Sequence, residues 1–197
     1  MIVVVGRPGT AAVRALAAAV AARGGRCEVV GTVSPDAAGD AVLQGLAAAG
    51  AGHAAVLRSP AIDLEPADLE LALRYLPDAR VVVLVGDDGL PDGLQADLTE
   101  VAVASAAWSG ANLILVTAAT ASGLVTGDRS IALTPPARDP DGAFAGLVAD
   151  LAARLDGGLP LAAAWPATLD SLGAEAVPAT REPAPAEDPA ADPATTP

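Results

Sequence analysis

Short runs of β-branched and aliphatic residues alternate along the chain with longer segments whose apolar positions recur every three or four residues. Residues 2–5, Ile-Val-Val-Val, contain no polar position, as expected of a strand buried on both faces. Gly6-Arg7-Pro8-Gly9-Thr10 then turns the chain. Thr10 suits the N-cap of a helix with Val13, Leu16 and Val20 on its inner face and Gly24-Gly25 at its end. A second strand is expected at 27–33, and Ser34-Pro35-Asp36 opens a helix that carries Val42, Leu43 and Leu46 and stops at Gly50 or Gly52. A short strand near a sheet edge follows at 53–57.

The spacing predicts a helix over 68–76 with Leu69, Leu71, Leu73 and Leu76 as its apolar set, and the clearest strand of the chain at 81–85. Beyond the loop Gly86-Asp87-Asp88-Gly89, a helix over 92–109 places Leu94, Leu98, Val101 and Trp108 on one face and closes at Gly110. Strands at 113–116 and 131–133 follow, while 117–129 fits neither period. Pro135 and Pro136 cannot continue a strand ladder. Past them, Phe144, Leu147, Val148, Leu151 and Leu155 form one stripe of a helix whose cap and first turn suit Asp139, Pro140 and Asp141. Residues 159–172 predict a last helix, bent at Trp165-Pro166.

Strand-helix alternation requires parallel crossovers, so the class is α/β: a three-layer αβα sandwich on a mostly parallel sheet. From Gly173 onward the chain is Pro, Ala, Thr and acid, with too little apolar surface to offset the entropy of ordering. The expected organisation is therefore one α/β domain, 1–172, and a disordered acidic tail, 173–197. Hydrophobic residues make up 52% of the chain but aromatics only 2%, so the core is Val, Leu and Ala and offers no broad surface for stacking bases.

All 11 basic residues are arginine, which rules out a phosphate-loop lysine or a Schiff-base lysine. A formal net charge of −13 speaks against nucleic acid as a partner. No apolar run is long enough to predict a membrane span, and the first residues carry no basic n-region of a signal peptide. The single cysteine, Cys27, has no internal disulfide partner and reads as a small residue at a strand edge. Together these point to a cytoplasmic protein.

Candidate chemistry is sparse. The turn at Gly6, Arg7 and Gly9 lies where a phosphate-binding loop belongs and is a candidate anion site, although Gly-x-Gly-x-x-Gly and Gly-x-x-x-x-Gly-Lys are both absent and a plain tight turn is the competing reading. Asp36 and Asp40 suit helix capping better than a metal, and no metal site is expected. Asp87-Asp88 lies at the carboxyl end of the best strand, where open α/β sheets bind ligands. His53, the sole histidine, belongs to no Ser-His-Asp or Cys-His set and reads as a polar residue near a strand start.

Two blocks, 24–40 and 46–53, together resemble the ribokinase (PfkB) family of carbohydrate kinases, in which a helix ending in a Leu-Gly-like turn precedes a strand, then Gly-x-x-Gly-Asp-Asp-x-x-Gly, then a helix ending in x-x-Gly-Val. The likeness returns at Asp139-Pro140-Asp141-Gly142-Ala143-Phe144, which is similar to that family's Gly-Ala-Gly-Asp-Ala-Phe signature. The resemblance implies a ribokinase-like sheet, an aspartate base, a glycine-rich anion hole and, in an active member, ATP with Mg²⁺. Aligned on Ala143-Phe144, this chain has Gly142 at the aspartate position and acids at 139 and 141 in place of glycines. The sugar-covering lid is expected to be absent. The implied anion-site residues are Asp139, Gly142 and Ala143, with Asp141 as a displaced base. The resemblance thus suggests a nucleotide- or sugar-phosphate-binding or regulatory protein without intact sugar-kinase chemistry. Two alternatives stay open: a small ATP-dependent sugar kinase using Asp141, and a ligand-free interaction protein. A homodimer also stays open.

Overall fold

The structure is a computed structural model of the 197-residue chain and describes residues 1–61, 63–86, 93–117, 127–139 and 142–171. In chain order the elements are β1 (Ile2–Val5), α1 (Ala11–Ala22), β2 (Cys27–Val33), α2 (Ala37–Ala48), β3 (Gly52–Arg58), α3 (Pro66–Tyr75), β4 (Val81–Val85), α4 (Leu94–Ser109), β5 (Asn112–Val116), β6 (Ser130–Leu133), α5 (Ala143–Asp156) and α6 (Leu161–Ser171). Among the described residues all six strands belong to one sheet, in the order β3-β2-β1-β4-β5-β6, and every pair is parallel. Ile2 pairs with Cys27 on one side and with Val81 on the other. The crossovers therefore run outward in opposite directions from β1 and β4, and their carboxyl ends form the switch point where doubly wound sheets bind ligands.

Alternate residues of each central strand serve the two layers. Ile2, Val4, Val83 and Ile114 face α1, α5 and α6, and Leu46 of α2 joins that core. Val3, Val5, Leu84 and Leu115 face α3 and α4. Burial on both faces explains why 2–5 and 81–85 are unbroken apolar runs rather than alternating ones. Helix α5 lies over β1, β4 and β5 and packs between α1 and α6. Its buried set of Val148, Leu151 and Leu155, with Phe144 and Leu147 half-buried beside it, is the expected stripe.

The end signals also hold. Thr10 accepts from the Val13 amide at 3.3 Å, and Asp36 accepts from the amides of Ala38 and Gly39 at 3.0 Å. Gly110 closes α4 in the left-handed region at φ 74°. β3 is an edge strand, as expected, with His53 second in it. Cys27 begins β2 but is buried within the core.

Two inward assignments fail. Leu71 is 53% exposed and Trp108 is 81% exposed. The buried face of α4 is Leu98, Thr99, Ala102 and Ala106, because small residues let the helix lie close to the sheet. Trp108 stands two residues past Ala106, roughly 160° round the helix, and so points away. Ile62 and residues 87–92, 118–126, 140–141 and 172–197 lie outside the described residues, and with them Asp87-Asp88, the expected base Asp141 and the expected acidic tail, 173–197. Among the described residues no helix is long and apolar enough to cross a membrane.

Candidate functional site

The carboxyl edge of the sheet gathers the candidate residues. At its centre the turn after β1 is forced by close packing: a Cβ on Gly6, whose φ is +157°, would lie 2.8 Å from Val13 Cγ2 and 3.2 Å from the Val85 carbonyl oxygen. A side chain on Gly31 of β2 would likewise run into the Gly6 carbonyl and the Pro8 ring. The glycines at 6 and 31 thus let the first turn cross the ends of β2 and β4. A Cβ on Gly9 meets nothing within 4 Å, so that position is open.

Arg7 points across this edge to the segment between β3 and α3. Its Nε donates to Asp63 Oδ1 at 2.9 Å and its Nη2 to the same oxygen, with both side chains partly buried. A guanidinium holding a carboxylate in this way has already met the charge that an incoming anion would supply. Asp63 lies 56 residues from Arg7 in an irregular stretch, and no local pattern points to it.

The second candidate site is the start of α5. Gly142 takes a left-handed conformation, φ 66° and ψ 22°, which directs the chain into the helix. Asp139 folds forward over that turn: Oδ1 accepts from the Ala143 amide at 2.9 Å and Oδ2 from the Phe144 amide at 3.0 Å. The first free amides of a helix are an anion site by geometry and by dipole. Here a carboxylate of the chain itself occupies them. The expected cap therefore comes from Asp139, three residues ahead of the helical boundary at Gly142. The structure brings Asp139, Gly142 and Ala143 together, whereas Arg7 is engaged with a different acid and Asp141 is outside the described residues.

Between the ends of β4 and β5 sits a polar cluster that the sequence did not flag. Among the described residues Gln95 Oε1 is buried without a hydrogen-bond partner. A Cβ on Gly86 would come within 3.1 Å of it and 3.2 Å of Thr117 Oγ1. Thr99 Oγ1 donates to the Gln95 carbonyl at 2.6 Å, and Thr99 and Thr117 are both buried. A buried acceptor with no donor is uncommon and marks this edge as a place where a donor is wanted.

The other candidate acids of the described residues, Asp36 and Asp40, are engaged structurally. Asp36 also accepts from Ser34 Oγ at 2.6 Å, and the hydrogen bonds from Ser34 and then Gly39 hold its carboxyl below the usual range. Asp40 pairs with Arg58. Among the described residues no three His, Cys, Asp or Glu side chains cluster to hold a metal ion. Burial, then the charge of Glu28, pushes the Cys27 thiol up to about 12, so it is neutral at ordinary pH.

No family model matches the sequence, and no curated protein matches it either. Solved structures do match. The PfkB protein from Polaromonas sp. JS666 superposes over 87% of this chain and 96% of its own, with a TM-score of 0.57 at 13% identity. The 2-dehydro-3-deoxygluconokinase from Thermotoga maritima superposes over 61% of this chain with a TM-score of 0.50 at 16% identity, and this chain covers 52% of that enzyme. The chain thus spans about half the length of the sugar kinase and nearly the whole of the shorter PfkB protein. At such low identity the likeness speaks to architecture alone: the chain is an α/β domain with a six-stranded parallel sheet, structurally similar to the ribokinase/PfkB carbohydrate kinases.

Proposed function

We propose that this domain binds a nucleotide or sugar phosphate along the carboxyl edge of its sheet and does not transfer the phosphoryl group. The observation that carries the reading is the Asp139 carboxylate on the amides of Ala143 and Phe144. Phosphoryl transfer needs an anion hole that receives charge as it develops, together with a base and a closed site. An anion hole already filled by a fixed carboxylate repels that charge. Gly142 at the signature's base position removes the proton acceptor as well.

Binding is favoured by the switch point between β1 and β4, by the glycine-lined turn at Gly6, and by the unpartnered Gln95 Oε1 at the same edge. A hydroxyl or amino group of a ligand is the donor that this oxygen lacks.

The test is a thermal-shift screen of ADP, ATP and sugar phosphates, run beside a transfer assay with ATP, Mg²⁺ and a panel of sugars. Stabilisation by at least one of these ligands with no transfer is expected. Turnover abolished by Asp141→Ala would establish the active-kinase alternative instead. No stabilisation by any of them would leave the ligand-free interaction protein.

A further inference from the structure

Among the described residues, α3 and α4 cover the side of the sheet opposite α5. A cavity of about 920 Å³ opens between the two helices. Leu73, Leu76, Ala79 and Val82 contribute to its floor, and Val101 and Trp108 line the α4 side. The rim carries Glu70, Asp97 and Glu100, and its one base, Arg74, is bound to Glu70 at 2.6 Å. From 101 to 110 the α4 sequence, Val-Ala-Val-Ala-Ser-Ala-Ala-Trp-Ser-Gly, has no charge on any face. Helices that lack a polar outer face are covered helices. The chain has four aromatic residues in all, and one of them, Trp108 at 81% exposure, stands in solvent on the α4 side of this groove. Trp and Tyr are the side chains that most often anchor interfaces.

Charge selects among the possible covers. A second copy meeting this face in an isologous contact would set Glu70, Asp97 and Glu100 against their own kind, on a chain of net charge −13. The chain's own tail is no better suited, with Glu175, Glu182, Glu187, Asp188 and Asp192 against a single Arg181. A cationic partner is complementary. The space is a channel between two helices, which fits a third helix laid along it. We infer that the α3–α4 groove docks a cationic amphipathic helix of another protein, whose apolar stripe packs on Trp108 and Leu76 while its Arg or Lys side chains meet Asp97 and Glu100. Asp97 and Glu100 are three apart on α4 and so share a face, within reach of successive turns of such a helix.

The test uses a synthetic peptide of Leu and Arg at helical spacing, about 18 residues or five turns long. Beside it run a scrambled peptide of the same composition and a Glu-for-Arg counterpart. Trp165→Phe leaves Trp108 as the only tryptophan reporter, and anisotropy of labelled peptide on the unaltered chain gives a second readout. The amphipathic cationic peptide is expected to bind saturably and shift Trp108 emission to the blue. Binding should weaken by about tenfold or more on Trp108→Ala, and similarly on the pair Asp97→Lys with Glu100→Lys. Asp170→Lys, on α6 in the opposite layer, should leave binding within about twofold. Equal binding of the scrambled peptide, or an equal loss from Asp170→Lys, would mean attraction by net charge alone and overturn the inference. So would a concentration-dependent dimer in sedimentation that buries Trp108, because the groove would then belong to a second copy.

Discussion

Replacing Asp139 by alanine tests the arrangement at the start of α5 from two directions. The substitution removes both acceptors of the Ala143 and Phe144 amides, at 2.9 and 3.0 Å. Loss of such a cap costs about 1 kcal/mol, within a range of roughly 0.5–2. The buried residues of α5 begin at Val148, beyond the first turn, so the helix should fray at its start and remain docked. For a chain of this size that loss lowers Tm by about 2–4 °C. Asparagine keeps one of the two acceptors and should lose about half as much. The same change uncovers two amides for an external anion. At a phosphate concentration ten times its Kd, the variant should regain about 1.4 kcal/mol by linkage, whereas the native domain should respond little. Thermal melts of the three proteins, each with and without phosphate, read both effects. An alanine variant as stable as the native protein, with the same response to phosphate, would refute the idea that this carboxylate holds the helix start.

Other changes read other parts of the account. A Cβ on Gly39 in α2 would run into the Ser34 carbonyl, whereas one on Gly45 in the same helix meets nothing within 4 Å. Gly45→Ala should therefore stabilise by about 0.5–1 kcal/mol, and Gly39→Ala should destabilise by about 1–3 kcal/mol; urea unfolding gives both signs. Cys27, with its thiol pushed up to about 12, should resist a thiol reagent at neutral pH in the native protein and react once urea unfolds it. Burial of Asp150 would raise its pKa, but the hydrogen bonds from Arg154 and Ser171 outweigh that and hold the carboxyl below its ordinary value. A depressed folded value stabilises above the unfolded value and is lost as pH falls through the folded one. Stability should thus decline below about pH 4, and less steeply in Asp150→Asn.

What could be read in the sequence was whatever depends on near neighbours in the chain. The runs 2–5 and 81–85 are strands because a parallel sheet buries both of their faces. Thr10, Asp36 and Gly110 mark helix ends because capping is settled within a few residues. The kinase-like architecture was legible from two short blocks, although its departures at 139–142 said only that the usual groups were missing. What the sequence withheld was partnership across distance. Nothing near Arg7 names Asp63, and nothing near Gln95 names Gly86 or Thr117. Trp108 shares helical spacing with Leu94, Leu98 and Val101, but α4 turns Leu98, Ala102 and Ala106 inward to lie close on the sheet, and Trp108 points away. The acids flanking Gly142 looked like a spoiled anion hole, but only the fold shows Asp139 turning forward to fill it.

The most direct measurement follows the ¹H–¹⁵N resonances of Ala143 and Phe144 as inorganic phosphate and then ADP are added. In the native domain these two amides should stay nearly still, even where ADP moves other resonances along the carboxyl edge. In Asp139→Ala they should shift saturably with either ligand. Native amides that move at the same ligand concentrations as those of the variant would contradict the account, because the helix start would then be open to phosphate with its carboxylate in place.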